Sequence, residues 1–447
     1  MCAEIQWLQS IGEALAPVDA LMSMLSGFAL ILILTRLRVP ISAAVIAGAV
    51  AVSLLFGQAP AATGRTLIEG FFRLDMLLLA IIIIVVIVLT QVMRETGRLQ
   101  EIVASLRLLL RRPAVSMAAV PAMIGMLPMP GGALFSAPLV ASAAAGADVE
   151  GSRLSAINYW FRHVWEFWWP LYPGVILAMT LARREAGVND LTFLRFQLPL
   201  SIPMIFAGML IFIGSHSDLH VSAPPAPAGT KRRLLRATAP IWLIILIYAA
   251  GQAMISGLKE WTGLDLSVEP WGKAPITLGL AVSLIWTIAT SHLPGGKIAK
   301  IFTAGSIYKM VLIVMMVMVY KNAVEAVDAG RLMGEELAAL HVPTAVVVAV
   351  LPLIAGIVLG VAVGFVGASF PIILPLVAAR PDVSAYIALA YAFGHIGQML
   401  SPIHICYIVS NDYFKTTNRA VYLRILPAAA ATMTGAVGYF LLLRWVI

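Results

Sequence analysis

Two apolar runs, Met76 to Thr90 and Met310 to Tyr320, constrain this chain more than any other feature. With their flanks each reaches the roughly 20 residues that a helix needs to cross a hydrocarbon core. The whole chain follows suit: of 447 residues only 12% are charged and 61% are hydrophobic, where soluble domains carry roughly 25% charged residues. Too few polar side chains exist to coat a soluble globule of this size. Backbone groups need internal partners in lipid, and no short alternating segments announce a barrel, so the expected fold class is an all-α integral membrane protein. The net charge of +8 comes from short basic clusters between apolar runs, a pattern of membrane topology rather than of a nucleic-acid face. Cys2 and Cys406 imply no disulfide framework. The N-terminus lacks a basic n-region and a small-residue cleavage site, so the first apolar helix is expected to be retained.

In chain order, residues 1–20 allow an amphipathic interfacial helix. Spans are expected at about Leu21 to Thr35, Pro40 to Phe56 and Met76 to Met93. The pattern then changes at LPMPGGALFSAP, where Pro128, Pro130, Gly131, Gly132 and Pro138 crowd too closely for one straight helix. Two short arms meeting at a Pro-Gly-Gly tip, a re-entrant hairpin, fit better, with a single kinked span as the alternative. A last span of this half, Phe196 to Gly214, precedes a polar linker, 216–237, ending in KRRLLR, which the positive-inside rule puts in the cytoplasm. Spans at Ala239 to Ile255, Pro275 to Ser291 and Ile307 to Ala323 follow, then a net-acidic loop through Glu336. A second interrupted stretch, GFVGASFPIILP, has its breaking residues at Gly364, Gly367, Ser369, Pro371 and Pro375.

Between the first hairpin and the linker lies FRHVWEFWWPLYPG, which sets Arg162, His163 and Glu166 in an apolar segment and breaks it with Pro170 and Pro173. Charged side chains at membrane depth cost roughly 2.5–3.5 kcal/mol each, so they face a cavity or one another. The second half carries FGHIGQMLSP, and His395, Gln398 and Pro402 each lie 232 residues beyond His163, Glu166 and Pro170. TGRL at Thr96 to Leu99 echoes AGRL at Ala329 to Leu332, and Pro40 echoes Pro275. The chain is therefore read as two repeats, 21–215 and 238–447, each of five crossings plus a hairpin, about ten transmembrane helices in all. An odd number of crossings inverts the halves and leaves both termini outside. Arg183, Arg184 and Arg195 fit that count poorly. Inverted repeats with broken helices are the architecture of secondary transporters, where unwound backbone and half-helix dipoles hold a solute at mid-membrane.

The candidate substrate residues are Pro130, Gly131 and Gly132 at the first tip, Gly367, Ala368 and Ser369 in the second hairpin, and Arg162, His163, His395, Gln398 and Ser401 at the breaks. Glu166, His163 and His395 are the candidate proton carriers, and Arg162 offers positive charge to an anion. The plainer alternatives are a structural ion pair of Glu166 with Arg162 or His163 along one helical side, and a merely hydrogen-bonded His395. Ser401, His404 and Asn411 follow the second break, with Ser401 preferred by its match to the first. Trp165, Phe167, Trp168 and Trp169 read as packing or an interfacial belt. No P-loop, HExxH or GxSxG motif is present, and neither an enzyme, a cofactor nor a metal is expected.

MLPMPGGALFSAP, INYWFRHVWEFWWPLYPG and GHIGQMLSPIHICYIVSNDYF, in this order of spans, resemble the ion transporter superfamily and, within it, the DUF401 group of predicted permeases. The resemblance covers most of the chain. It implies a small anion, often a carboxylate, carried with sodium or protons by an elevator-like movement, and a homodimer. The Ser-Asn-Thr hairpin motif of the sodium-dicarboxylate branch is absent from both tips, which argues against sodium coupling and against that branch's substrate class. The expectation is thus a multi-pass secondary active transporter of a small organic anion in the cell inner membrane, coupled to protons rather than sodium. A cation/proton antiporter is the alternative; a membrane-embedded enzyme or lipid-handling protein is the alternative from another class.

Overall fold

The structure, a computed structural model, describes residues 20–71, 74–110, 113–128, 132–144, 149–214, 226–262 and 271–446. The expected interfacial segment, apart from Ala20, and the tip residues Pro130 and Gly131 lie outside the described residues. All regular structure among the described residues is helical. Six helices are long and apolar enough to cross a bilayer: Leu77–Glu95, Asp190–Ile213, Ala239–Thr262, Trp271–Ala289, Gly295–Ala326 and Asn418–Val446. Shorter apolar helices, among them Ala20–Arg36, Ile41–Leu55, Thr344–Leu359 and Ala362–Val377, pack beside them. Phe206, Leu246 and Ile285 stand exposed on the outer surface, and Trp261 and Trp445 stand exposed at helix ends, where indoles sit at a membrane–water boundary. This is the make-up of an integral membrane protein.

Each hairpin is a pair of antiparallel arms. The first joins Pro113–Gly125 to Ala133–Ala143. The second reverses at Gly360 and Val361, between Thr344–Leu359 and Ala362–Val377, not in the Gly364 to Pro375 interval that the sequence marks. The reason is local. Gly360 caps its helix with φ of +65°, a left-handed conformation that glycine adopts without strain. Pro371 and Pro375 instead sit inside the second arm, tolerated where surrounding helices satisfy the freed carbonyls. Gly367 lets this arm close on helix Gly305–Ala326, since a Cβ there would lie 2.3 Å from Val317 Cγ2.

Two stretches expected to be loops are helices with caps to provide. The KRRLLR segment forms Thr230–Ala237, packed on helix Arg98–Leu109. Arg98 joins them: it donates to Arg236 O at 3.1 Å and Thr290 Oγ1 at 2.7 Å, over the Trp286 ring. The acidic stretch forms Ala329–Ala339, and its Glu336 accepts from the N–H groups of Ala20 (2.5 Å) and Leu21 (2.7 Å). A carboxylate there satisfies donors that the first turn of helix Ala20–Arg36 leaves unpaired. Nearby, Lys321, 2% exposed, is held by Glu185 at 2.7 Å and Glu325 at 2.5 Å.

Asp382, just before helix Val383–Met399, accepts from Arg380 Nε at 3.0 Å and Arg444 Nε at 2.9 Å. Burial opposes ionisation here, but the two guanidinium groups outweigh it and hold the carboxyl below its usual range. A depressed folded value contributes stability above the unfolded value, and that stability is lost as pH falls through the folded one. Thermal stability measured against pH should therefore show an acid-side loss that Asp382→Asn removes. An identical acid limb in wild type and variant would contradict this.

Candidate functional site

Prolines shape the first break. Helix Gly151–Arg162 gives way to a run of turns, and the chain becomes helical again at Pro173. Pro170 lacks a donor and crowds the carbonyl four residues back, and Tyr172, held before Pro173, is extended at φ −77° and ψ 126°. The break thus opens at His163, seven residues before the Pro170 that marks it in the sequence. Glu166 lies in the unwound turns, its N–H bonded to His163 O at 3.1 Å, rather than one helical turn beyond Arg162. In the second half, helix Val383–Met399 ends before Leu400, and Ile405–Tyr413 resumes after Pro402 and His404.

The two breaks meet. Glu166 Oε2 accepts from Gln398 Nε2 at 2.7 Å, and His395 Nδ1 lies 3.8 Å from the same oxygen. His163 Nε2 lies 3.7 Å from the other oxygen. Residues 232 apart in sequence are therefore in direct contact across the break. His163 and His404 face each other with Nε2 atoms 3.1 Å apart, while their Nδ1 atoms lie 2.6 Å from Tyr159 O and 2.9 Å from Gly360 O. The Tyr159 ring packs edge-on against both imidazoles, and Phe167 packs on His395. All of these side chains are buried. Charge in such surroundings acts over a low dielectric and is worth more than in water.

Arg162 ends its helix with its guanidinium over Gly132, where a Cβ would lie 2.4 Å from Nη2. It also lies beside the Cys406 thiol. Cys406 Sγ and the ring nitrogens of His163 and His404 fall within 4.8 Å of one another. That donor set is of the kind a soft divalent ion accepts, although a fixed guanidinium beside it opposes a cation.

The aromatic run has a specific job. The indoles of Trp165 and Trp169 donate to Ala122 O (2.7 Å) and Met126 O (2.8 Å), and the Tyr172 hydroxyl donates to Gly125 O. Ala122 and Gly125 end the first hairpin arm and Met126 follows it, where carbonyls have no intrahelical partner. The run therefore fastens the break to the hairpin tip. Trp168 and Trp169 also line a cavity of about 210 Å³ toward Tyr248 and Ile276.

Of the residues singled out in the sequence, Arg162, His163, Glu166, His395 and Gln398 come together, with Gly132 against Arg162. Ser401 lies at the second hairpin tip, where a Cβ on Gly360 would be 2.8 Å from its Oγ. Gly367, Ala368 and Ser369 are buried along the second arm, with Ser369 Oγ donating to Phe365 O at 2.6 Å. His404, which the sequence ranks behind Ser401, and Cys406, weighed there only for disulfides, complete the cluster. His404 lies 232 residues beyond Tyr172, the same offset as the other pairs, and each is the residue just before its helix resumes.

Fold and site together define a helical integral membrane protein whose two interrupted helices bring ionisable groups into contact in its interior. The family described as Protein of unknown function (DUF401) matches residues 19–223 and 277–444. The chain belongs to the DUF401 family. No curated protein matches it.

Proposed function

We propose that this protein is a secondary active transporter of a small organic anion, coupled to protons and working by elevator-like alternating access in the cell inner membrane. The observation that carries the reading is the meeting of both helix breaks around Glu166, with Arg162 to attract an anion. In this reading 21–215 and 238–447 are inverted repeats, each with five crossings and a re-entrant hairpin. Reciprocal packing supports it: Pro173–Ala186 lies on the second hairpin's arm Ala362–Val377, and Ile405–Tyr413 on the first hairpin's arm Ala133–Ala143. The loops support the topology. Arg98, Arg236 and Thr290 join loops assigned to the cytoplasm, as do Glu150 and Arg424. Glu336 with Ala20, and Asp382 with Arg444, join loops assigned to the outside, where both termini lie. The reading places linker 216–237 inside.

The test begins with thermal stabilisation of the purified protein by a panel of small carboxylates and other organic anions, because a ligand that binds only the native state raises its stability. Stabilising anions then go to proteoliposomes holding a pH-sensitive dye. Anion-dependent proton uptake is the expected result. Cation-dependent proton release would instead favour a cation/proton antiporter, and neither response would favour a membrane-embedded enzyme or lipid-handling protein.

A further inference from the structure

We propose that His163 and His404 hold one proton between their Nε2 atoms, and that this proton, which ties the two helix breaks together, is the coupling ion. The second half of the statement rests on the transport reading above; the first stands on geometry alone.

Hydrogen counting drives it. A backbone carbonyl only accepts hydrogen bonds, so the 2.6 Å and 2.9 Å contacts to Tyr159 O and Gly360 O require a proton on each Nδ1. A neutral imidazole carries one N–H, and with Nδ1 protonated its Nε2 is a bare lone pair. Two such lone pairs would face each other at 3.1 Å in a buried site. One added proton turns that repulsion into a charge-assisted N–H···N bond, stronger than a neutral one. Cys406 could donate its thiol proton to one ring, but the other would still present a lone pair.

The remaining groups around the pair set its charge. Glu166 Oε1, 3.7 Å from His163 Nε2, supplies the counter-charge, while Gln398 holds its other oxygen. The Arg162 guanidinium, beside Cys406, opposes a charge on the pair and is the cation that Glu166 must offset, and His395, 3.8 Å from Glu166 Oε2, also faces His163 and His404. The Tyr159 hydroxyl is engaged, donating to Met399 O at 3.0 Å.

Because His163 belongs to the first break and His404 to the second, separating the breaks breaks the N–H···N bond. Each Nε2 then meets water, and the proton leaves to that side. Proton occupancy and contact between the breaks are in this way one event, the differential affinity that coupling requires.

The test uses the full-length protein in lipid nanodiscs, with nitrogen-15 in its histidine rings. Magnetic resonance should detect a scalar coupling between two Nε2 nuclei, transmitted only through a shared proton, and His404→Gln should abolish it. Two uncoupled, bare Nε2 resonances overturn the proposal. So do Nε2 resonances that shift when a chelator is added, because a metal ion would then occupy the place of the proton. The wild-type spectrum alone decides this half, even if the variant fails to fold. In proteoliposomes, His404→Gln should cut anion-driven proton uptake at least tenfold while anion-induced thermal stabilisation persists; full uptake in the variant overturns the coupling role. A coupled pair in a protein that moves no anion leaves the shared proton standing and refutes the transport reading instead.

Discussion

Glu166→Gln is expected to cut coupled transport sharply in a protein that still folds. Glutamine keeps the shape of the side chain and an oxygen for Gln398 Nε2 to donate to, so the contact at 2.7 Å has a neutral substitute. What disappears is the charge that faces His163 and His395 from 3.7 and 3.8 Å. Hydrogen bonds to charged groups contribute about 1.5–3 kcal/mol where neutral ones contribute about 1. Losing about 0.5–2 kcal/mol at a buried site that must bind and release charge in each cycle should lower transport by up to about thirtyfold. Anion-driven proton uptake, with thermal unfolding as the control for folding, measures both halves. Wild-type uptake by a folded variant would take Glu166 out of the mechanism.

The membrane class was legible because it needs only composition and run length, and those survive any error in helix ends. The breaks were legible because proline acts locally. Their starting points were not: the constraint of Pro170 and Pro173 reaches back to His163, a distance that depends on how the indoles of Trp165 and Trp169 and the Tyr172 hydroxyl claim the carbonyls of Ala122, Gly125 and Met126. The reversal of the second hairpin was misplaced because Gly360 is one glycine among several, and only its left-handed φ distinguishes it. Pro371 and Pro375, further along, were the louder signal, yet both lie within a helix. His404 shows a different limit. Its offset from Tyr172 matches the offset that pairs Glu166 with Gln398, so the signal was present in the sequence. What spacing cannot express is that His404 crosses to His163 instead of to its own counterpart.

A large loss of stability is expected from Gly397→Ala, with Gly356→Ala close behind. Helices Thr344–Leu359 and Val383–Met399 cross backbone against backbone. A Cβ on Gly397 would lie 2.2 Å from Leu353 O, and one on Gly356 would lie 2.3 Å from Gly394 O and 2.5 Å from Gln398 N. No flexible side chain stands at either contact to give way, so the helices themselves must separate. Overpacking a well-fitted interior costs about 1–3 kcal/mol and more where backbone must move. Small residues at such crossings are how membrane helices reach close contact at all. The same displacement would draw Gln398 from Glu166, so function and stability should fall together. Gly257→Ala is the control: it lies within helix Ala239–Thr262 with nothing within 4 Å of the added carbon. There alanine should be neutral or stabilising by up to about 1 kcal/mol, because glycine is the poorer helix former. Thermal unfolding of both variants in one detergent compares them, and an equal midpoint would mean that the crossing has room to spare and that the break is not held in place by it.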